Sequence, residues 1–158
     1  MILCPIEGTT IARATLNKNN PYGAHPELYH GLYLNGKPLK AHEGIDWAVP
    51  VGTSVYAPIE GVAHVVDSGP SGYGLHINII NNRFKVVLAH LSSVSVKDGE
   101  FVALGNPIGL SGNSGHSFGA HLHMTVFRLK DGKIQDLDNG KGGGIDILRY
   151  IILWQGTL

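Results

Sequence analysis

Gly112-Asn113-Ser114-Gly115-His116-Ser117-Phe118-Gly119-Ala120-His121-Leu122-His123 decides how the rest of this chain reads. A glycine-rich loop runs into a His-x-His pair, and the pair opens the apolar stretch Met124-Thr125-Val126-Phe127. On an extended strand, residues two apart point to the same side, roughly 6.5–7 Å from each other. His121 and His123 therefore share a face, with Leu122 turned to the other. A metal has room for one of them and leaves the other beside it, near anything the metal binds. Glycines permit backbone angles closed to other residues and suit a tight approach to the strand. Alone, such a pair reads equally well as two half-buried strand histidines. Two further stretches weigh against that: His42-Glu43-Gly44-Ile45-Asp46 and Ala89-His90-Leu91.

Composition points the same way. Nine histidines, at 25, 30, 42, 64, 76, 90, 116, 121 and 123, stand out in a chain with only 15% charged residues, and their excess invites a metal. Glycine, 22 of 158 residues, is about twice its usual share. It shows no Gly-X-Y period and separates apolar alternating runs, so it signals a β-rich chain with many tight turns. Lys+Arg and Asp+Glu are both 12. Without a basic patch, nucleic acid and anionic membrane surfaces are not expected partners. The single Cys4 forms no intrachain disulfide and is too isolated for a thiolate metal site. Met1-Ile2-Leu3-Cys4-Pro5 lacks a positive n-region and does not read as a signal peptide. No apolar run approaches ~18 residues, so no membrane span is expected. The length predicts one domain, 1–158, expected as a monomer.

Along the chain, residues 1–41 read as an irregular lead-in. Asn17-Lys18-Asn19-Asn20-Pro21-Tyr22-Gly23 is turn chemistry, and Leu34-Asn35-Gly36-Lys37 carries a hairpin signal. Strands are predicted over about 44–49, 54–57, 62–66, 75–80 and 84–90. Short ones follow at 101–102 and 107–110, and another at the His-x-His pair. Asn81-Asn82-Arg83 and Lys130-Asp131-Gly132-Lys133 read as hairpin turns. Asp146 is a candidate N-cap for a short helix from 147 to about 153. The predicted fold is mostly β: a single antiparallel β-sheet domain with a short C-terminal helix.

His42-Glu43-Gly44-Ile45-Asp46 is one residue away from H-E-x-x-H, the zincin helix. Gly44 and β-branched Ile45 are poor interior helix residues, Pro50 is close behind, and the alternation of Ile45, Trp47 and Val49 reads as strand. Glu43 is then not a zincin base and is expected as a solvated side chain. His42 and Asp46 can still share a metal. Fully extended, they would stand roughly 13 Å apart, so the chain must bend between them, and Gly44 permits the bend. Two imidazoles and one carboxylate are a known catalytic zinc set, with a fourth position open to water.

The order HxxxD, a lone histidine in Ala-His-Leu, then a glycine loop and HxH resembles the M23 family of zinc peptidases, of the lysostaphin and LytM type. Gly44-Ile45-Asp46-Trp47-Ala48-Val49-Pro50-Val51-Gly52-Thr53 is similar to the family's "GIDFAAPxGT". Val55-Tyr56-Ala57 with Gly61-Val62, and Gly72-Tyr73-Gly74, match its "VxA…GxV" and "GYG". Val96 to Val102 with Ile108-Gly109, and Gly112 to Gly115, match its "VxxGxxVxxGxxIG" and "GxTG". The match covers about 42–153, the implied catalytic core. Arg13 and His25-Pro26 resemble the region before the first motif, although 1–41 matches poorly. Leu88, Ala120 and Met124-Thr125 depart from the family's usual tyrosine, proline and aromatic-Glu.

The resemblance implies one zinc per chain on His42, Asp46 and His123, with His90 and His121 as catalytic groups. It implies a zinc endopeptidase acting on peptidoglycan stem or cross-bridge peptides, in a groove walled by loops that include 68–74 and 112–120. A glycyl-glycine bond and one involving a D-amino acid are both open at this point. A substrate outside the cytoplasm implies release through a membrane pore, carriage on a phage particle, or a catalytic domain excised from a longer secreted chain. The competing reading is a non-catalytic wall-binding or regulatory module that keeps the fold, against which the five intact residues argue. A structural zinc site would want four protein ligands and no spare histidines. His25 and His30 are not assigned to the site. His64 and His76 read as strand histidines, and His116 is a candidate for the groove wall.

Overall fold

The computed structural model describes residues 2–7, 20–148 and 151–152. Among them, short strands joined by tight turns make up nearly all the regular structure. After β1 (Ile2–Leu3), a three-residue 3-10 turn at Pro26–Leu28 precedes the hairpin of β2 (Tyr33–Leu34) and β3 (Lys37–Pro38). Its turn residues Asn35 and Gly36 have φ of 51° and 75°, as a two-residue type I′ turn requires. Then come β4 (Ile45–Trp47), β5 (Ser54–Tyr56), β6 (Gly61–Asp67), β7 (Leu75–Ile80), β8 (Phe84–Ala89) and β9 (Leu91–Val94). The remainder are β10 (Glu100–Val102), β11 (Pro107–Ser111), β12 (Leu122–Lys130), β13 (Lys133–Ile134) and β14 (Ile151–Ile152).

The main sheet runs β10-β6-β7-β8-β12, each pair antiparallel. Strand β12 is its longest member, and three segments share its far edge. β4 pairs with Leu122–Met124, and β13 pairs with Leu129 and Lys130. Between them Ile145 N–H donates to Val126 O at 3.0 Å, and Gly144 bridges Phe127. The edge is thereby covered, which removes a row of groups open to pairing with another chain. A second sheet, β5-β11-β9, takes over where β8 ends.

Residues 122–127 of β12 are buried on both faces. Leu122, Met124 and Val126 enter the main core with Ile45, Trp47, Ile77 and Leu88. Each such burial contributes roughly 1.5–3 kcal/mol. His123, Thr125 and Phe127 turn the other way. There Phe127 packs on Val87 and Ala89, and Leu34, Tyr73 and Ile134 pack against them. The site therefore lies on the sheet face opposite the main core, partly covered by the lead-in.

One sequence expectation about the fold is corrected. The helix expected from 147 to about 153 is not formed among the described residues. Asp146 Oδ1 does accept Leu148 N–H at 3.1 Å, and Ile151 N–H donates to Ile147 O at 3.0 Å. Ile151 and Ile152 then pair in parallel with Ile2 and Leu3. Long-range pairing of β-branched residues outweighs the local cap signal. Residues 149, 150 and 153 of that expectation lie outside the described residues. So do Arg13 and the Asn17-Lys18-Asn19 part of the turn run. The mostly β, antiparallel expectation holds, with the described strands divided among several sheets and β1–β14 paired in parallel.

Candidate metal centre

Strand register brings the central residues together. β12 lies between β4 and β8, and His123 has Asp46 as its Cα partner on one side and Ala89 on the other. The side chain of Asp46 is thus aligned with His123 by the ladder itself, and His90 follows Ala89 directly. His42 arrives because the chain bends at Gly44. Gly44 also lies flat against β12. A Cβ there would run into the Met124 carbonyl oxygen and come 2.7 Å from both His123 Cε1 and Thr125 Oγ1.

Three donor atoms converge. His123 Nδ1 lies 2.8 Å from Asp46 Oδ1 and 3.1 Å from His42 Nε2, and the latter is 3.4 Å from Asp46 Oδ1. Ligand atoms ~2.0–2.2 Å from a tetrahedral zinc would be ~3.4 Å apart, so this cluster fits zinc after opening by a few tenths of an ångström. Among the described residues it is the only group of three or more His, Cys, Asp or Glu side chains close enough to hold a metal.

The opposite atoms of the same groups are engaged elsewhere. His42 Nδ1–H donates to Pro21 O at 3.2 Å, and Asn20 Nδ2 donates to Asp46 Oδ2 at 2.6 Å. His123 Nε2–H donates to Thr125 Oγ1 at 2.7 Å, with Glu43 Oε1 at 3.4 Å. Such outer contacts fix which ring nitrogen faces a metal. Glu43 is a further correction. It is only 5% exposed and accepts a hydrogen bond from Tyr73 OH at 2.8 Å, where the sequence reading expects a solvated side chain.

The electrostatics follow from this packing. Burial pushes the Asp46 carboxyl up, but hydrogen bonds from His123 and His42 outweigh it and hold the group far below the usual carboxylate range. Burial likewise opposes ionisation of Glu43, but His123 and the Tyr73 hydroxyl bring it to about 2. His123 loses by burial and gains more from the Asp46 and Glu43 carboxylates, which raise it to about 10. A metal takes the place of the Nδ1 proton in such a site, since ligating imidazoles are neutral.

His90 and His121 stand beside this cluster. Their rings are 4.6 Å apart, and that of His90 is 5.9 Å from His123. His121 Nδ1–H donates to Gly119 O at 2.8 Å, and Nε2 lies 3.9 Å from Asp46 Oδ1. His90 Nδ1–H donates to Ser114 O at 2.8 Å, leaving Nε2 as its basic atom. His90 has a left-handed backbone, φ 63°, rare for a residue with a Cβ. Its own N–H donates to Tyr73 O at 3.0 Å, so loops on both sides hold it there. Burial, with the His123 and His121 imidazoles, pushes it down to about 4.

The two glycine loops meet above the site. A Cβ on either Gly74 or Gly115 would collide with the other's backbone nitrogen, so the loops approach as closely as backbones can. They frame a groove of about 710 Å³, with Ser68, Gly72 and His116 among its walls. Its other lip comes from the lead-in, including Leu28, Tyr29, Leu32 and Tyr33, which sequence reading did not place there. His25 also borders the groove, and His30 is exposed. His76 is buried with Nδ1 2.9 Å from Gly74 O, and His64 sits 3.6 Å from Asp98 at the surface. Asn20, Glu43 and Thr125 were also missed as site neighbours, whereas Tyr73 lies in the 68–74 loop expected at the groove. Thr125 alone carried a signal, two residues beyond His123 on the same strand face.

The peptidoglycan DD-endopeptidase ShyA of Vibrio cholerae is 38% identical over 90 residues, 57% of this chain and 21% of that protein. This chain thus spans about a fifth of that relative. A zinc-containing peptidase from Vibrio cholerae superposes with a TM-score of 0.64 at 26% identity, over 92% of this chain and 38% of that one. The catalytic domain of a prophage-encoded M23 protein from Enterococcus faecalis superposes with a TM-score of 0.63 at 26% identity, over 91% and 94%. The model of Peptidase family M23 matches residues 40–137, most of the chain and every residue of the cluster, and this chain belongs to that family.

Proposed function

We propose that this chain is a zinc-dependent endopeptidase that hydrolyses peptide bonds in peptidoglycan stem or cross-bridge peptides. The observation that carries the reading is the convergence of His42 Nε2, Asp46 Oδ1 and His123 Nδ1 beneath a groove, with two more imidazoles alongside. His42, Asp46 and His123 would hold the metal, and His90 and His121 would act on substrate. Residues 42–153 would form the catalytic core of a single domain, with 1–41 as its lead-in.

Zinc bound there supplies Lewis-acid polarisation of the scissile carbonyl and a water made acidic near neutral pH. The chain's own groups handle protons and position. His90, neutral down to about pH 4 in the metal-free fold, offers Nε2 as an acceptor for the proton of the attacking water. His121 directs Nε2 toward the cluster, where it can donate to the oxyanion or the leaving amine. The Ser114 carbonyl holds His90 in the tautomer that leaves Nε2 basic, and the Gly119 carbonyl fixes the His121 ring, which would donate from Nε2 once that nitrogen has taken up a proton.

Peptidoglycan lies outside the cytoplasm, so the site would act there, as a wall-remodelling or lytic enzyme. Among the described residues no helix is long and apolar enough to cross a membrane. The test is release of soluble fragments from purified peptidoglycan, with a chelator abolishing the release and zinc restoring it. Intact peptidoglycan after incubation with the zinc-loaded chain would leave the binding-module reading.

A further inference from the structure

Glu43 is buried beside the cluster, yet it is neither one of the metal ligands nor one of the acid–base groups assigned above. Its carboxylate sits between two groups. Tyr73 OH donates to Oε1 at 2.8 Å, and His123 Nε2 is 3.4 Å from the same oxygen. The Tyr73 ring stacks on His123 with centroids 5.5 Å apart and planes 28° from parallel. Thr125 Oγ1 takes the closer hydrogen bond from His123 Nε2, at 2.7 Å. A carboxylate this deeply buried is costly unless charge and hydrogen bonds compensate it.

We propose that Glu43 is a positioning residue for His123, holding its Nε2–H jointly with Thr125 so that Nδ1 presents its lone pair to the metal. The inference rests on the metal reading above. It follows from which atoms face which. With Nε2 committed to Thr125 and Glu43, only Nδ1 remains to face His42 Nε2 and Asp46 Oδ1. A carboxylate beside the ring N–H also raises the ligand's basicity, as carboxylate–histidine–metal arrangements do. Tyr73 fixes Glu43 in turn, and its ring limits rotation of the imidazole. Gly44 makes the arrangement feasible, since any side chain there would occupy the space of His123 Cε1 and Thr125 Oγ1.

The experiment measures zinc affinity by competition with a chromophoric chelator, at one pH, for the wild type, Glu43→Gln, Glu43→Ala and Tyr73→Phe. The melting temperature of each metal-free protein is recorded alongside. Glu43→Gln keeps the volume and an acceptor but removes the charge. It should bind zinc ~10–100-fold more weakly, the usual cost of losing an outer partner of a ligand. Glu43→Ala should be weaker still, and Tyr73→Phe should lose affinity several-fold. Wild-type affinity in Glu43→Gln overturns the proposal and leaves the metal centre standing, as does a lowered melting temperature with unchanged affinity. Failure of the wild type to bind zinc defeats the metal reading itself. If the variants prove too unstable to titrate, proton–nitrogen correlation spectra of the zinc-loaded wild type decide. His123 metallated at Nδ1 and protonated at Nε2 is expected, and metallation at Nε2 overturns the proposal.

Discussion

Asp46 and His123 are ladder partners, paired Cα to Cα across β4 and β12, with Oδ1 and Nδ1 2.8 Å apart. Their meeting is a property of the sheet before it is a property of a metal. A slip of one residue would turn either side chain into the opposite core. Asp46 is also the only carboxylate in the three-residue cluster. Asp46→Ala should therefore cost more zinc affinity than the ~10–100-fold typical of an outer partner. Equilibrium dialysis against buffered zinc measures it, and retention of stoichiometric zinc at low free metal would contradict the ligand assignment.

The His-x-His pair should divide into two phenotypes. His123→Ala should lose zinc and turnover together. His121→Ala and His90→Ala should keep about one zinc per chain and lose ~10²–10⁴-fold in turnover, the range for a missing acid–base group. Metal analysis and peptidoglycan hydrolysis on the same samples separate them. Zinc loss in His121→Ala with zinc retained in His123→Ala would reverse the roles within the pair.

The left-handed backbone of His90 predicts an inverted stability order. A residue with a Cβ pays ~1–2 kcal/mol in that conformation, and glycine does not. His90→Gly should thus be about 1 kcal/mol more stable than His90→Ala by denaturant unfolding, contrary to the usual cost of glycine. Equal stabilities, or the ordinary order, would count against the φ of 63°.

Gly44→Ala should damage both fold and centre. Its methyl group meets the Met124 carbonyl, His123 Cε1 and Thr125 Oγ1, of which the first belongs to the backbone and cannot rotate away. Overpacking of this kind costs ~1–3 kcal/mol. Thermal unfolding should register that loss, and zinc titration should show weakened binding as His123 is displaced. A variant with unchanged stability and affinity would mean that β12 yields freely at this point.

Proton linkage gives the metal-free protein a stability maximum near pH 6.5. Between 6.5 and about 10, folded His123 keeps a proton that the unfolded chain has released, so stability falls as pH rises. Between 6.5 and about 4, the unfolded chain binds a proton that buried His90 does not, so stability falls as pH drops. Glu43 extends the acid loss from 4.5 down to about 2, because its carboxylate is stabilised only when ionised. Zinc should reverse the alkaline limb, since it competes with protons for its ligands. Melting curves from pH 4 to 9, with and without zinc, test the signs. A metal-free melting temperature that climbs steadily from 6.5 to 9 would contradict them.

Much of the sheet was legible in local pattern. Alternation over Leu75–Ile80 and Phe84–Ala89, with Asn81-Asn82-Arg83 between, gave the right hairpin. Asn35-Gly36 and Asp131-Gly132 marked turns whose residues all have positive φ. The spacing of HxxxD, the isolated His90 and the HxH pair picked out residues that the fold brings together. Glu43 was illegible because its cover is Tyr73, thirty positions away, and no local pattern distinguishes a buried glutamate from a solvated one. The C-terminal segment misled for the opposite reason. Asp146 makes the turn that a helix cap would make, while Ile151 is drawn to a partner at the other end of the sequence. The lead-in lip, Leu28, Leu32 and Tyr33, has no periodicity from which its place could be read.

His90 stands where the chain leaves one sheet and enters another, between β8 and β9. One dihedral therefore serves two masters, since the rotation that sends β9 away from the main sheet also aims the imidazole. Evolution could vary the lips of the groove by loop exchange, but it could not re-angle the two sheets without moving a histidine proposed for catalysis. Grafts that alter substrate preference should accordingly be confined to the lead-in lip and to the tips of the two glycine loops, with residues 89–91 and the carbonyls of Tyr73 and Ser114 left as found.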